Sequence, residues 1–327
     1  MGQKQGSQRG IKLRVLVTGV AGVVGEKLEE VLIKKGHSVF GVDLLHTNKI
    51  YAHGMGKVEN DNYFRCDISE YRQIQDVIEY VKPDVVFNCA AEFGRWNGEF
   101  FYEKVWKSNA IGLKNIIRLQ ERLGFKLVHC SSSEVYGDWE GIMYEDLLDR
   151  EPIIQMNDYA MSKRVNEMQI HNSRIQYNTD TVIVRIFNTY GPGEWYHPFR
   201  SVNCLFCYNL LHNRPITVFK GHTRTSTYIY DAVNTISNII DNFKAGEKYN
   251  IASKENHSIE TLAEIILNKT GADPSLVNYA DKHEILTTKH KFVDASRAER
   301  DLKHSPSVSL KEGVHNTIDW MREYYNI

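Results

Sequence analysis

Asn157-Asp158-Tyr159-Ala160-Met161-Ser162-Lys163, taken with Ser131-Ser132-Ser133-Glu134 upstream, offers a hydroxyl, a carboxylate, a phenol and an ammonium for one site. That set is a kit for moving a hydride and protons on a carbohydrate. Tyr159 and Lys163 are spaced to share one face of a helix, so the ammonium is expected to sit close to the phenol and favour phenolate. The phenol pKa would then fall from about 10 toward the working range of a general base.

Those residues need a scaffold, and the first half of the chain supplies its pattern. Ile11–Val17 is a β-branched run, Gly22–Lys35 reads as a helix and Ser38–Val42 as a second strand. Short apolar runs follow at Tyr63–Cys66, Val85–Cys89, Leu127–Ser131 and Val182–Phe187, with helical stretches near 70–81, 99–122 and 157–177. Strands alternating with helices predict an α/β fold, a doubly wound parallel sheet that binds ligands beyond its carboxyl ends. After Tyr190-Gly191-Pro192-Gly193 the elements shorten and become mixed. The chain therefore divides into a Rossmann-type domain over 11–193, rejoined by 230–253, and a smaller lobe over 194–229 and 254–327. Residues 1–10 read as a frayed tail without the apolar core of a secretory signal, and they miss the myristoylation pattern because Gly6 stands where Ser or Thr is required.

Composition narrows the partners. Forty basic against forty-one acidic side chains leave a formal charge of −1, which points to neither nucleic acid nor an anionic membrane. No apolar run approaches the roughly 20 residues of a membrane span. Five cysteines, few for this length and odd in number, fit reduced thiols in a cytoplasm. Cys204 and Cys207 read as core residues on a helix, and no histidine cluster has metal-ligand spacing.

Thr18-Gly19-Val20-Ala21-Gly22-Val23-Val24-Gly25 follows the first strand and opens a helix. Gly19, Gly22 and Gly25 permit a tight turn and close backbone approach to a pyrophosphate at the helix N-terminus, where Val23 and Val24 begin the helix. Asp43 ends the second strand, where a carboxylate accepts hydrogen bonds from ribose hydroxyls. Leu44, Leu45 and His46 offer no cation for a 2′-phosphate, so NAD is favoured over NADP. Asp67 and Ile68 are assigned to the cofactor's adenine end, a turn aspartate being the alternative for Asp67.

The glycine pattern, the Ser-Glu pair and Tyr-x-x-x-Lys together resemble the extended short-chain dehydrogenase/reductase family, in its nucleotide-sugar branch of 4,6-dehydratases, glucuronate decarboxylases and C4 epimerases. The resemblance runs from about residue 12 to the C-terminus. It implies that Ser132 and Tyr159 hydrogen-bond the sugar C4 hydroxyl, that Tyr159 takes its proton, and that Lys163 holds the nicotinamide ribose. By the same resemblance Ala90 and Ala91 leave room beside the cofactor and Asn109 steadies the active-site helix. Asn188, in Arg185-Ile186-Phe187-Asn188, and Arg224 would bind the diphosphate of a nucleoside-diphosphate sugar. Asp294-Ala295-Ser296-Arg297 resembles a family ending that packs the second lobe. The resemblance further implies a homodimer through helices near 99–122 and 157–177.

Oxidation at C4 makes a ketone that acidifies the C5 proton, and the fate of that ketone defines the enzyme. Epimerases of the branch carry a small apolar residue where this chain has Glu134, whereas dehydratases and decarboxylases carry glutamate. Ser133 stands where many dehydratases place an acidic aspartate, so Glu134 would serve as both base and acid, or a water would carry the proton through Ser133. The decarboxylases also use an arginine near the late Asp-Ala-Ser segment, but the stretch here is Lys289-His290-Lys291-Phe292. The balance leans to a dehydratase, with decarboxylase, epimerase and a non-catalytic NAD-binding regulator as alternatives. The aromatic stretch from Glu92 to Tyr102 reads equally as a sugar-pocket wall, with Arg95 or Trp96 reading the hexose, or as a dimer surface or core.

Overall fold

The computed structural model describes residues 12–45, 62–282 and 284–327. The expected tail at 1–10, Ile11 and His46 lie outside the described residues. Strand and helix alternate through the first domain as β1 (Arg14–Thr18), α1 (Val23–Lys34), β2 (Ser38–Asp43), β3 (Tyr63–Arg65), α2 (Tyr71–Val81) and β4 (Val85–Asn88). Then come α3 (Arg95–Phe100), α4 (Tyr102–Val105), a π-helical turn Trp106–Ile111 and α5 (Gly112–Leu123). Strand β5 (Lys126–Ser132) runs into a 3₁₀ turn Ser133–Tyr136, followed by β6 (Ile142–Met143), α6 (Leu147–Arg150), α7 (Asp158–Tyr177), β7 (Thr181–Ile186) and β8 (Thr189–Tyr190).

The remainder comprises α8 (Val202–Leu211), β9 (Ile216–Phe219), β10 (Thr223–Thr225), β11 (Thr227–Tyr228), α9 (Ile229–Ser237), β12 (Lys248–Ile251) and β13 (Asn256–Ser258). It ends with α10 (Ile259–Thr270), β14 (Val277–Ala280), β15 (Phe292–Val293), α11 (Ser296–Leu302) and α12 (Leu310–Tyr325).

Seven strands form one sheet in the order β12-β7-β5-β4-β1-β2-β3, every neighbouring pair parallel. This is the doubly wound α/β fold expected from the sequence. Alternation along β1 sends Val15 and Val17 to one face and Leu16 to the other, each fully buried, because helices cover both sides. Leu28, Leu32, Val233 and Ile236 from α1 and α9 cover the first face. Ile74, Ile78, Leu113, Ile117 and Ile170 from α2, α5 and α7 cover the second. The strand order turns back between β1 and β4, which opens a crevice at their carboxyl ends. The second lobe has its own core, in which Cys204 and Cys207 of α8 pack with Leu262, Ile266, Val314 and Ile318.

Two segments depart from expectation. The helix expected over 99–122 is broken at Phe101, whose backbone angles of −135° and 46° turn α3 away from α4. The Asp294–Arg297 segment leads into α11, whose Ala298 and Leu302 bury in the first core of the main sheet, not in the second lobe. A local apolar spacing reports that a helix is buried but not which of two cores receives it.

Candidate active site

The crevice between sheet and second lobe is a cavity of about 1040 Å³. At one end lies the glycine turn. Gly19, at φ +70°, donates its N–H to Val42 O at 2.7 Å, which folds the turn back over β2. A Cβ built on Gly25 would stand 2.2 Å from Gly19 O, so only glycine lets α1 pack this close to the turn. Gly25→Ala is therefore expected to lower NAD affinity at least tenfold and to cost about 1–3 kcal/mol of stability from overpacking. Cofactor titration by fluorescence and thermal melting check both effects.

No side chain among the described residues caps α1, and Gly22, Val23 and Val24 line the cavity, so the helix start is left for an anion. The Asp43 carboxylate accepts the N–H groups of Ala21 at 3.0 Å and Leu45 at 3.2 Å. Burial pushes its pKa up against those two donors. The uncapped helix start, the close glycine turn and this carboxylate fit a dinucleotide's pyrophosphate and ribose. Ile68, Ala90 and Ala91 line the same cavity. Asp67 also lines it, but one carboxylate oxygen already accepts both the N–H (2.9 Å) and the hydroxyl (2.6 Å) of Ser69. It serves the turn first.

At the other end stand Ser132, Ser133, Glu134, Tyr159 and Lys163, all lining the cavity. Two neighbouring elements place them: β5 ends at Ser132, and α7 begins with Asn157 accepting the Ala160 N–H at 2.8 Å as its cap. Asn109 locks α7 to the π-helical turn. Its amide donates to Ser162 Oγ at 2.9 Å and to Glu92 O at 3.1 Å, while its carbonyl accepts the Glu92 N–H at 2.9 Å. A π-turn inserted into a helix at this point is a recurrent mark of a functional site.

The Ser132 hydroxyl sits near enough to the Tyr159 phenol to draw its pKa down, and it accepts the Glu134 N–H at 3.2 Å. Lys163 does not lower the phenol as its spacing suggested. Its Nζ donates to Cys130 O at 2.9 Å and lies 5.9 Å from the Tyr159 ring centre. Burial pulls Lys163 down to about 8 and, outweighing Ser132, pushes the phenol up to about 12.

Glu134 carries the largest departure from the sequence reading. Its carboxylate is ion-paired to Lys291, a buried lysine in the stretch where the sequence shows no arginine. Burial alone would raise Glu134, but Lys291, Arg95 and Arg224 together hold it below the usual carboxylate range. Arg95 bonds Glu284 at 2.9 Å across the cavity mouth, and Arg224 lies 3.6 Å from the same carboxylate. Arg224 also donates to Thr223 O (2.8 Å), Lys289 O (3.1 Å) and Thr287 Oγ1 (3.4 Å). Asn188, at φ +37°, donates to Thr225 O at 3.5 Å.

The aromatic stretch divides between its two readings. Phe93, Arg95 and Trp96 line the cavity, with Arg200 stacked 4.0 Å over the Phe93 ring, whereas Phe100 and Tyr102 are exposed. Glu92 lines the cavity as well and accepts from Asn97 at 3.0 Å. Among the described residues there is no group of three His, Cys, Asp or Glu side chains able to hold a metal, and no helix long and apolar enough to cross a membrane.

A doubly wound sheet with a glycine turn, an acidic strand end and a Ser/Tyr/Lys site beyond its carboxyl ends defines an NAD-dependent enzyme. The profile of the NAD dependent epimerase/dehydratase family matches residues 15–252, and the chain belongs to that family. It is 30% identical to a UDP-glucuronate 4-epimerase of Thermodesulfobacterium geofontis, over 94% of this chain and 96% of that protein. It is 29% identical to a UDP-N-acetyl-alpha-D-glucosaminuronate decarboxylase of Bacillus cytotoxicus, over 97% and 100%. Among solved structures, an epimerase of Methanothermobacter thermautotrophicus superposes with a TM-score of 0.87 at 27% identity, covering 96% of this chain and 94% of that one.

Proposed function

We propose that the enzyme is a nucleoside-diphosphate-hexose 4,6-dehydratase, oxidising C4 of the sugar and eliminating water across C5 and C6. The observation that carries this reading is Glu134: a carboxylate kept ionised by surrounding cations, next to Ser132 at the point where Tyr159 would meet the C4 hydroxyl. Bound NAD supplies reversible hydride transfer. Tyr159 takes the O4 proton, with the Ser132 hydroxyl supporting the developing phenolate. Glu134 takes the C5 proton, which the C4 carbonyl has made acidic, and passes it to the departing C6 oxygen. Arg224 and Asn188 face the diphosphate, Arg224 exchanging part of its present contacts for phosphate. The exposed apolar side chains Ile111, Met161, Met168 and Ile175 on the helices of the second face support a homodimer through those helices.

Charge balance favours a neutral hydroxymethyl group at C6. Lys291 answers Glu134, and Arg95 and Arg224 answer Glu284, so these five groups together carry one net positive charge. A uronate would add another anion beside an ionised glutamate. The second reading, a uronate decarboxylase, draws on Lys291: it puts a cation where the sequence shows no arginine, and a carboxylate at C6 could take Glu134's place on it. Incubation with UDP-, GDP-, CDP- and dTDP-hexoses and the matching uronates, followed by mass spectrometry, tests both. Loss of water from a hexose is the expected result. Loss of carbon dioxide from a uronate would select the decarboxylase, and an unchanged mass with altered stereochemistry an epimerase.

A further inference from the structure

Lys291 immediately precedes β15, where Phe292 and Val293 pair with Ile142 and Met143 of β6. Because β6 follows closely on the 3₁₀ turn of Glu134, this pairing carries a segment distant in sequence onto the catalytic carboxylate. The Lys291 side chain is 3% exposed and that of Glu134 16%. The backbone beside it is anchored as well, since Lys291 O accepts from Thr225 Oγ1 at 3.0 Å and from Asn256 Nδ2 at 2.8 Å. A lysine buried this deeply needs a specific partner, and the partner here is the one carboxylate the chemistry requires.

We infer that Lys291 is a positioning residue for Glu134: its ammonium neutralises and aims the carboxylate that acts as the base at C5. This rests on the dehydratase reading. The C5–H bond breaks as Glu134 takes the proton, its electron pair becomes the C5=C6 double bond, and the C6–O bond breaks. The oxygen leaves as water with the proton that Glu134 carried. When the C4 hydrogen returns to C6 with its electron pair, C5 takes a proton from solvent through Glu134. The O4 proton, which Tyr159 releases to solvent, balances that uptake.

The other charged and titratable groups facing Glu134 do not replace Lys291. Arg95 reaches in from the start of α3 and Arg224 from β10, but both are engaged with Glu284. Tyr159 approaches from α7 as a neutral phenol. Glu140, which lies near Arg224, accepts the backbone N–H groups of Lys289 and His290. Without Lys291, the burial that raises Glu134 is opposed only by guanidinium groups already shared.

The test follows exchange of the C5 proton in deuterated buffer by NMR, using UDP-, dTDP-, GDP- and CDP-4-keto-6-deoxyglucose as probes. This exchange needs the base but no loss of water. In the wild type, exchange is expected to hold its rate down to the ordinary glutamate pKa and to fall only below it, because the surrounding cations hold this carboxylate below its ordinary value. Lys291→Gln is expected to move that limb up by about one pH unit or more, a loss of about fivefold or more at the old midpoint, and Lys291→Arg to restore it. An unmoved limb in Lys291→Gln, or equal impairment of both variants at every pH, overturns the inference. So does a wild-type limb above about pH 6, or wild type that exchanges none of the probes, and these two outcomes decide even if a variant fails to fold. Failure of the dehydratase reading registers separately, as C5 exchange without loss of water from any hexose.

Discussion

Tyr159→Phe is expected to cut turnover by about 100- to 10,000-fold, the range for loss of a positioned general base, with NAD affinity and melting temperature nearly unchanged. The ring keeps its packing, and only the phenol oxygen is lost. That oxygen lies near Ser132, whose hydroxyl accepts the Glu134 N–H at 3.2 Å and so has its own proton free to donate to a phenolate. Burial holds the phenol near 12, so the free enzyme keeps it neutral at physiological pH and spends its basicity only when positive charge arrives beside it. Steady-state turnover on the sugar nucleotide identified by mass spectrometry, set beside NAD titration of the same protein, measures the effect. A variant within tenfold of wild type would move O4 deprotonation to another group. Unchanged biological activity in the variant would favour the regulatory reading.

The sequence makes the cofactor end legible because its parts are local. A glycine turn between a strand and a helix and an aspartate at the next strand end occur within one βαβ unit, and each residue type has a backbone reason to stand there. The same is true of Ser132, Tyr159 and Lys163, whose strand and helix can be drawn from their spacing. Lys291 is different: it reaches Glu134 across 157 positions through a two-strand pairing too short to announce itself. Its residue type hides it as well, since a lysine here brings the charge that an arginine would signal. The Tyr159–Lys163 geometry fails for another reason. Sharing a helix face fixes direction but not reach, and the Cys130 carbonyl competes for the ammonium at 2.9 Å. The π-helical turn around Asn109 is likewise invisible to a 3.6-residue pattern, which reads straight through it.

Arg185→Met is expected to destabilise the fold by about 3–5 kcal/mol, the cost of stranding a buried charge whose partner is removed. Arg185 is fully buried on β7 and grips Glu167 of α7 through two nitrogens, at 3.0 and 2.7 Å. Ser131 donates to the same carboxylate at 2.7 Å, and Arg185 also donates to Tyr136 Oη at 2.9 Å and Glu145 O at 2.8 Å. Glu167 lies one helical turn beyond Lys163 on the same face, so this network seats α7, which carries Tyr159 and Lys163, on β5 and β7. Replacing both partners with methionine is expected to recover much of the loss, because two charges leave together and apolar atoms fill the space. Urea denaturation of wild type, both single variants and the double variant closes the cycle. The pH dependence has a definite sign. Burial would raise Glu167, but Arg185 and Ser131 hold it below its ordinary value, so the folded pKa lies under the unfolded one. The pair's contribution is therefore complete above the ordinary glutamate pKa and is lost as pH falls through the lowered folded value. In the double variant that acid-side loss of stability should disappear. If it persists unchanged, other carboxylates set the acid limit, and the Arg185–Glu167 pair matters for the orientation of α7 more than for holding the fold.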